Sequence, residues 1–384
     1  MESSSPGQLI LTGVPGKQLD PETEKLFRRV QPGGFILFGR NIETAPQLRK
    51  LIDDLRDLSR VEPIITIDQE GGRVSRLRLI GNEPPNAQQL RDKNDLNLIS
   101  RHGDITGRLL RLFGFNLDLC PVLDISFADD ADNSLRGRCY GKTVEQAIRN
   151  AGAFNESLRA EGISSCGKHF PGYSAATVDA HHDLPRIDRT REQLDDTELA
   201  VFRAFCGLSC ELMGASPQLG ADDCYLVDSM MICHGWYPCF EQQKKPASLS
   251  KTVITELLRE EMGYNGLVMT DDLDMGAIVN EYSLDDTLRL AVEAGNDLAM
   301  ICHRIDQVEN AYRIVSALPR RQVDRALQSI VRFKHDLAPP DPFSESAFDN
   351  LNQEIWDLRV ATLGDGQARL RSPEDGKRSP VELY

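Results

Sequence analysis

The sequence is short of the features that would send it to a membrane, a nucleic acid or an export pathway. No apolar run approaches the ~20 residues that a membrane-crossing helix needs. Positive charge is outweighed, since 44 Lys and Arg stand against 59 Asp and Glu for a formal net charge of −15. That balance argues against a nucleic-acid or anionic-membrane partner. The opening MESSSPGQLILTG has neither the basic nor the apolar segment of a secretory leader, so a cytoplasmic protein is expected. A disulfide framework is also missing. The nine cysteines are odd in number, and Cys120, Cys166, Cys233 and Cys302 lie inside apolar runs, as small core residues of a reducing compartment would. Cys206, Cys210 and Cys224 lack zinc-site spacing, so no metal is expected.

What remains is a chain of 384 residues, 40% of them hydrophobic, enough for one large α/β barrel or two smaller domains. Short apolar runs that read as strands start near residues 9, 34, 63, 116, 163, 230, 266 and 297. Amphipathic helical patterns separate them, Leu96–Phe113 and Thr143–Ala160 being the clearest. The alternation predicts parallel βα units and an α/β (β/α)₈ TIM-type barrel, with uneven spacing that leaves room for an imperfect one. The barrel is expected over 1–338. Residues 339–384 are expected as a C-terminal extension, at least partly disordered, with a charged Gly/Pro/Ser-bearing tail from about Asp365. Residues 207–226 read as an irregular insertion.

Polar residues gather where the strands end. The stretch KHFPGYSAATVDAHHDLP, Lys168 to Pro185, follows the run Ile163–Cys166 and holds three of the chain's seven histidines. Asp179, two residues before His181, is spaced to hold that ring in one tautomer and raise its basicity, as a mobile general acid/base requires. The plainer alternative is a polar surface loop with incidental histidines. The turn Asp68-Gln69-Glu70-Gly71-Gly72 follows another strand, and its glycines allow backbone to approach a ligand closely. A third buried run, Gly266–Thr270, leads into Asp271 and Asp272. Aspartates at a helix start also favour the helix dipole, which accounts for Asp272 and Asp274.

Together these stretches resemble the β-N-acetylhexosaminidases of glycoside hydrolase family 3, from about Gln8 to about Cys302. The matching pieces are KHFPG with Asp179-x-His181 and Leu184-Pro185, DQEGG-x-V-x-R, the G-x-N strand ending Pro-Val-x-Asp124, the Arg138 segment, the strand ending at His234, and Thr-Asp271-x-Leu-x-Met. The resemblance implies a barrel that removes terminal β-linked N-acetylglucosamine with retention of configuration. In it Asp271 is the nucleophile, His181 the acid/base and Asp179 its orienting partner. Asp68, Arg76, Arg138, Lys168, His169, Asp124 and His234 are the implied substrate contacts, and no cofactor is implied. Cytoplasmic single-domain members act on peptidoglycan-derived muropeptides, so a small carbohydrate partner and a monomer or weak homo-oligomer are expected. The chain departs from the motif at Tyr173 and Ser174, where the family has His-Gly, and at Ala175, where it has Asp. Cys139-Tyr140 replaces Ser-Phe. Alternative readings are a phosphorylase on the same site and a catalytically inactive sugar-binding barrel.

Overall fold

The computed structural model describes residues 5–129, 134–176, 179–207 and 225–372. Eight parallel strands close into a barrel: Ile10–Gly13, Gly34–Leu37, Ile64–Ile67, Leu117–Asp118, Ser164–Phe170, Ser229–Ile232, Leu267–Asp272 and Leu298–Ile301. Each strand pairs with its neighbours in chain order, and the eighth closes on the first through Ile10–Ala299 and Thr12–Ile301. The strands begin within about one residue of the apolar runs read from sequence, as buried parallel strands with continuous apolar character should. Uneven spacing does not open the barrel. The irregularity is taken up in register shifts between Gly167 and Phe170 and between Leu298 and Met300.

Alternation along the strands divides two cores. Leu11, Ile36, Leu117, Leu119, Cys166, Met231, Met269 and Met300 fill the barrel. Phe35, Ile65 and Val268 point outward and pack under the surrounding helices. Helices begin where the sequence offers a cap: Asp20 accepts from the N–H groups of Glu22 and Thr23 ahead of Pro21–Val30, and Thr143 accepts from Gln146 ahead of Val144–Ala160. Such caps satisfy backbone donors that the helix itself leaves open.

Helix Arg320–His335 seals the end of the barrel away from the strand C-termini, with Val323, Ala326, Leu327 and Ile330 joining the interior cluster. Its Lys334 is buried, with Nζ donating to Gln8 Oε1 at 2.8 Å. Burial pushes its pKa from the ordinary 10.5 down to about 7. Between those values the unfolded chain holds a proton that the folded protein lacks, so this group makes stability rise with pH. Below pH 7 the folded protein carries the whole cost of the buried charge. Lys334→Met is therefore expected to stabilise the protein by about 2–4 kcal/mol at pH 6 and by little near pH 10. Thermal melts at the two pH values test this, and an equal or absent gain would mean that the amine reaches water.

The C-terminal extension adds a helix that composition did not reveal. Glu345–Leu363 packs on Leu96–Phe113, with the Phe113 and Phe348 rings 5.5 Å apart and Arg108 paired to Glu354 at 2.6 Å. Residues 365–372, expected as the start of a disordered tail, instead form the short helix Asp365–Ala368 and an anchored end. Buried Glu83 accepts from Arg78 (3.0 Å), Arg359 (3.1 Å) and the Ser372 hydroxyl (2.7 Å). A carboxylate with three such donors offsets its desolvation, and it ties the extension to the loop that follows Arg76. Most of the expected insertion, 208–224, and the tail beyond Ser372 lie outside the described residues.

Candidate active site

The C-terminal ends of the strands surround a pocket whose polar lining includes Asp68, Arg76, Arg138, Lys168, His169, Asp179, His181, Asp271, Asp272 and His303. This is the end at which barrel enzymes carry their chemistry. One wall is a lattice of alternating charges. Lys168 Nζ lies 2.7 Å from Asp68 Oδ1 and 2.6 Å from Glu70 Oε1. Arg138 grips Glu70 with both arms of its guanidinium, at 2.7 and 2.8 Å, and Arg76 reaches Asp68 at 3.4 Å. Burial disfavours every one of these charges. Their mutual attraction outweighs it for Asp68 and Glu70, held below the usual carboxylate range by Lys168, Arg76 and Arg138, and for Lys168 and Arg138, held above their ordinary values. For Arg76, burial wins and the pKa is lowered. The lattice stays charged near neutrality and offers fixed donors and acceptors for a polyol.

The opposite wall carries the reactive candidates. His181 Nδ1 is 2.6 Å from Asp179 Oδ1, which also accepts the His181 N–H at 3.0 Å. The loop bearing them docks on the segment beyond the seventh strand: Gly276 N–H donates to the His181 carbonyl at 3.1 Å and Ala277 N–H to that of Ala180 at 3.0 Å. A Cβ on Gly276 would stand 2.6 Å from the His181 carbonyl oxygen, so this contact needs glycine. Tyr173, which replaces the motif histidine, accepts the Ala180 N–H on its hydroxyl at 3.0 Å. Ser174 accepts the Ile125 N–H at 2.9 Å. The departures thus brace the loop, with Asp179 and His181 still facing the pocket. Asp271 enters from the end of the seventh strand, and its Oδ1 accepts the Asp272 N–H at 2.8 Å.

The sequence profile described as the Glycosyl hydrolase family 3 N terminal domain matches residues 5–333. The chain belongs to glycoside hydrolase family 3. It is 33% identical over 315 residues to a protein named Beta-hexosaminidase from Vibrio cholerae, covering 82% of this chain and 87% of that one. A protein of the same name from Pseudomonas aeruginosa is 30% identical over 318 residues, covering 83% and 88%. The solved structure of a family 3 β-N-acetylglucosaminidase from Paenibacillus superposes with a TM-score of 0.81 at 30% identity, over 94% of this chain and 68% of that one. Membership makes this protein a glycoside hydrolase.

Two expected substrate contacts of this family 3 enzyme lie behind the pocket wall instead of in it. Asp124 is wholly buried and is committed to the protein: Oδ2 meets His169 Nδ1 at 2.7 Å and the His169 N–H at 3.1 Å, and Oδ1 accepts the Tyr173 N–H at 2.6 Å. It fixes the ring that faces the pocket. His234 is equally buried, between the Ser248 hydroxyl at 2.7 Å and the Asp272 carbonyl at 2.9 Å. Glu70 carries the opposite lesson. It anchors Lys168 and Arg138, yet its place in the turn motif gave no hint of partners 68 residues and more away. His303 lines the pocket beside Asp272 at 3.3 Å; its position at the end of the last strand was the available signal. Cys233 and Cys302 also line the pocket, and burial pushes their thiols up, that of Cys233 to about 12. Among the described residues no group of three or more His, Cys, Asp or Glu is arranged to hold a metal ion, and no helix is long and apolar enough to cross a membrane.

Proposed function

We propose that the enzyme is an exo-β-N-acetylglucosaminidase that works with retention through a glycosyl-enzyme on Asp271. The observation that carries the reading is the pairing of His181 with Asp179 on a loop that delivers the ring to the pocket containing Asp271 and the charged lattice. The names of the relatives, Beta-hexosaminidase and β-N-acetylglucosaminidase, support the same sugar. In the first step an Asp271 carboxylate oxygen bonds to the anomeric carbon while the glycosidic bond breaks. The leaving oxygen takes the Nε2 proton of the His181 imidazolium, whose positive charge Asp179 stabilises. In the second step neutral His181 takes a proton from water, whose oxygen attacks the anomeric carbon and frees the Asp271 carboxylate. Asp68, Arg76, Arg138, Lys168 and His169 bind the sugar hydroxyls. The proposed natural substrate is a muropeptide derived from peptidoglycan, met in the cytoplasm.

The test is turnover of para-nitrophenyl N-acetyl-β-D-glucosaminide, with the first-formed sugar followed by proton NMR in the presence and absence of phosphate. The expected product is free N-acetylglucosamine, released as the β-anomer at a rate indifferent to phosphate. First release of the α-anomer would refute retention, and accumulation of a glycosyl phosphate would make the enzyme a phosphorylase. No turnover in either buffer would leave a sugar-binding barrel.

A further inference from the structure

Asp272 is held from every side, and what holds it also sets its neighbour. Its backbone N–H donates to Asp271 Oδ1 at 2.8 Å, and its carbonyl accepts from His234 Nε2 at 2.9 Å. Its own Oδ1 accepts from the N–H groups of Asp274 at 3.0 Å and Cys302 at 3.2 Å. Its Oδ2 faces His303 Nε2 at 3.3 Å. On the far side of that ring, Nδ1 is 2.9 Å from an Arg40 guanidinium nitrogen. A guanidinium only donates, so Nδ1 is the acceptor, the ring is neutral, and its single proton sits on Nε2 toward Asp272. Burial, and then Arg40, bring the pKa of His303 down to about 4, which keeps this tautomer at neutral pH. Arg40 is itself fixed, donating to the carbonyls of Val14 at 2.9 Å and Cys302 at 2.6 Å. The His303 ring leans on Phe38 with centroids 5.0 Å apart.

We infer that Arg40 and His303 are a positioning pair for the nucleophile, acting through Asp272. By fixing the Asp272 carboxyl group, whose pKa burial and then Asp274 raise to about 8, they fix its N–H, which occupies Asp271 Oδ1 and leaves Oδ2 to meet the anomeric carbon. The imidazole between them has a chemical purpose. An arginine paired directly with Asp272 would set a full positive charge beside Asp271 and weaken it as a nucleophile, whereas the neutral ring supplies the N–H without that charge. Asp274, the other acid nearby, has its own cation in Arg304 at 2.6 Å. The inference rests on the proposed role of Asp271.

The experiment compares H303F, H303Q and R40M with wild type and D271A on the para-nitrophenyl substrate, with a thermal melt of each. H303F keeps a ring but loses the donor and acceptor. Its kcat is expected to fall about 30-fold or more while KM stays within about threefold. H303Q restores the donor alone, its NH₂ standing near the Nε2 position to donate to Asp272, and is expected to recover part of the lost kcat. R40M should show the same kcat-weighted loss in smaller measure, and it gives the answer if H303F fails to fold. An H303F enzyme with normal kcat, a loss confined to KM, or an H303Q enzyme as poor as H303F would overturn the inference. Activity surviving in D271A would instead overturn the assignment of the nucleophile, so the two failures are distinct.

Discussion

Asp271→Ala is expected to lower kcat by at least about 10⁴-fold, because without a carboxylate no glycosyl-enzyme forms and the shared barrier returns to a single step. Fold stability should scarcely change. The Asp271 side chain is only partly buried, and the hydrogen bond it loses is the Asp272 N–H at the pocket edge. The decisive readout is rescue. A small anion such as azide fits the space the carboxylate vacates and attacks the anomeric carbon from the same face. The product is then an α-glycosyl azide, inverted where the proposed native reaction retains. The variant protein, sodium azide and the para-nitrophenyl substrate suffice for this, with NMR of the product. Full activity in Asp271→Ala would remove the residue from the chemistry. A β-configured azide would mean that a different group had taken over the covalent step.

The second large effect concerns His181. Its alanine variant is expected to lose about 10²–10⁴-fold in kcat/KM on aglycones that need protonation, such as a sugar hydroxyl, the range general acids usually contribute. For dinitrophenyl, which departs without a proton, kcat/KM should change little, whereas kcat should still fall because the second step has lost its base. Asp179→Asn keeps a hydrogen-bond acceptor 2.6 Å from Nδ1 but removes the charge that stabilises the imidazolium, so it should fall between wild type and His181→Ala. Rates across a series of phenols of rising pKa make the distinction. Equal losses of kcat/KM along the whole series would show His181 binding the substrate instead of protonating it.

The barrel was legible because most strands are compact apolar runs, several of them closed by a polar residue, and local pattern is enough to find such elements. Asp68, Lys168, His169 and Asp271 were legible for the same reason, standing where runs such as Ile64–Ile67 and Leu267–Thr270 stop. What sequence could not deliver was pairing. Whether Asp124 meets a sugar or His169 depends on two strands lying side by side, and only the fold shows that the His169 ring takes its Oδ2. Glu70, Arg40 and His303 owe their roles to partners far along the chain, the Arg40–His303 contact spanning 263 residues. Tyr173 looked like damage to a motif. In place, its hydroxyl supports the backbone beside His181. The helix Glu345–Leu363 was hidden in a stretch judged by its prolines and charged tail, although Phe348, Leu351, Ile355 and Leu358 are its buried face.

The cysteines beside the pocket bear on how the enzyme meets electrophiles. Alkylating reagents react with thiolate, and a thiol displaced far above its ordinary range presents almost none at neutral pH. Cys302 and Cys233 are so displaced by burial, and both are about 1% exposed. Of the described thiols Cys239 alone is exposed, and its pKa too is raised by burial of its sulfur. Iodoacetamide should therefore spare the folded catalytic centre and label it only after denaturation. An electrophilic inhibitor built for this pocket is therefore expected to react with a carboxylate, Asp271 in the proposed mechanism, and not with sulfur.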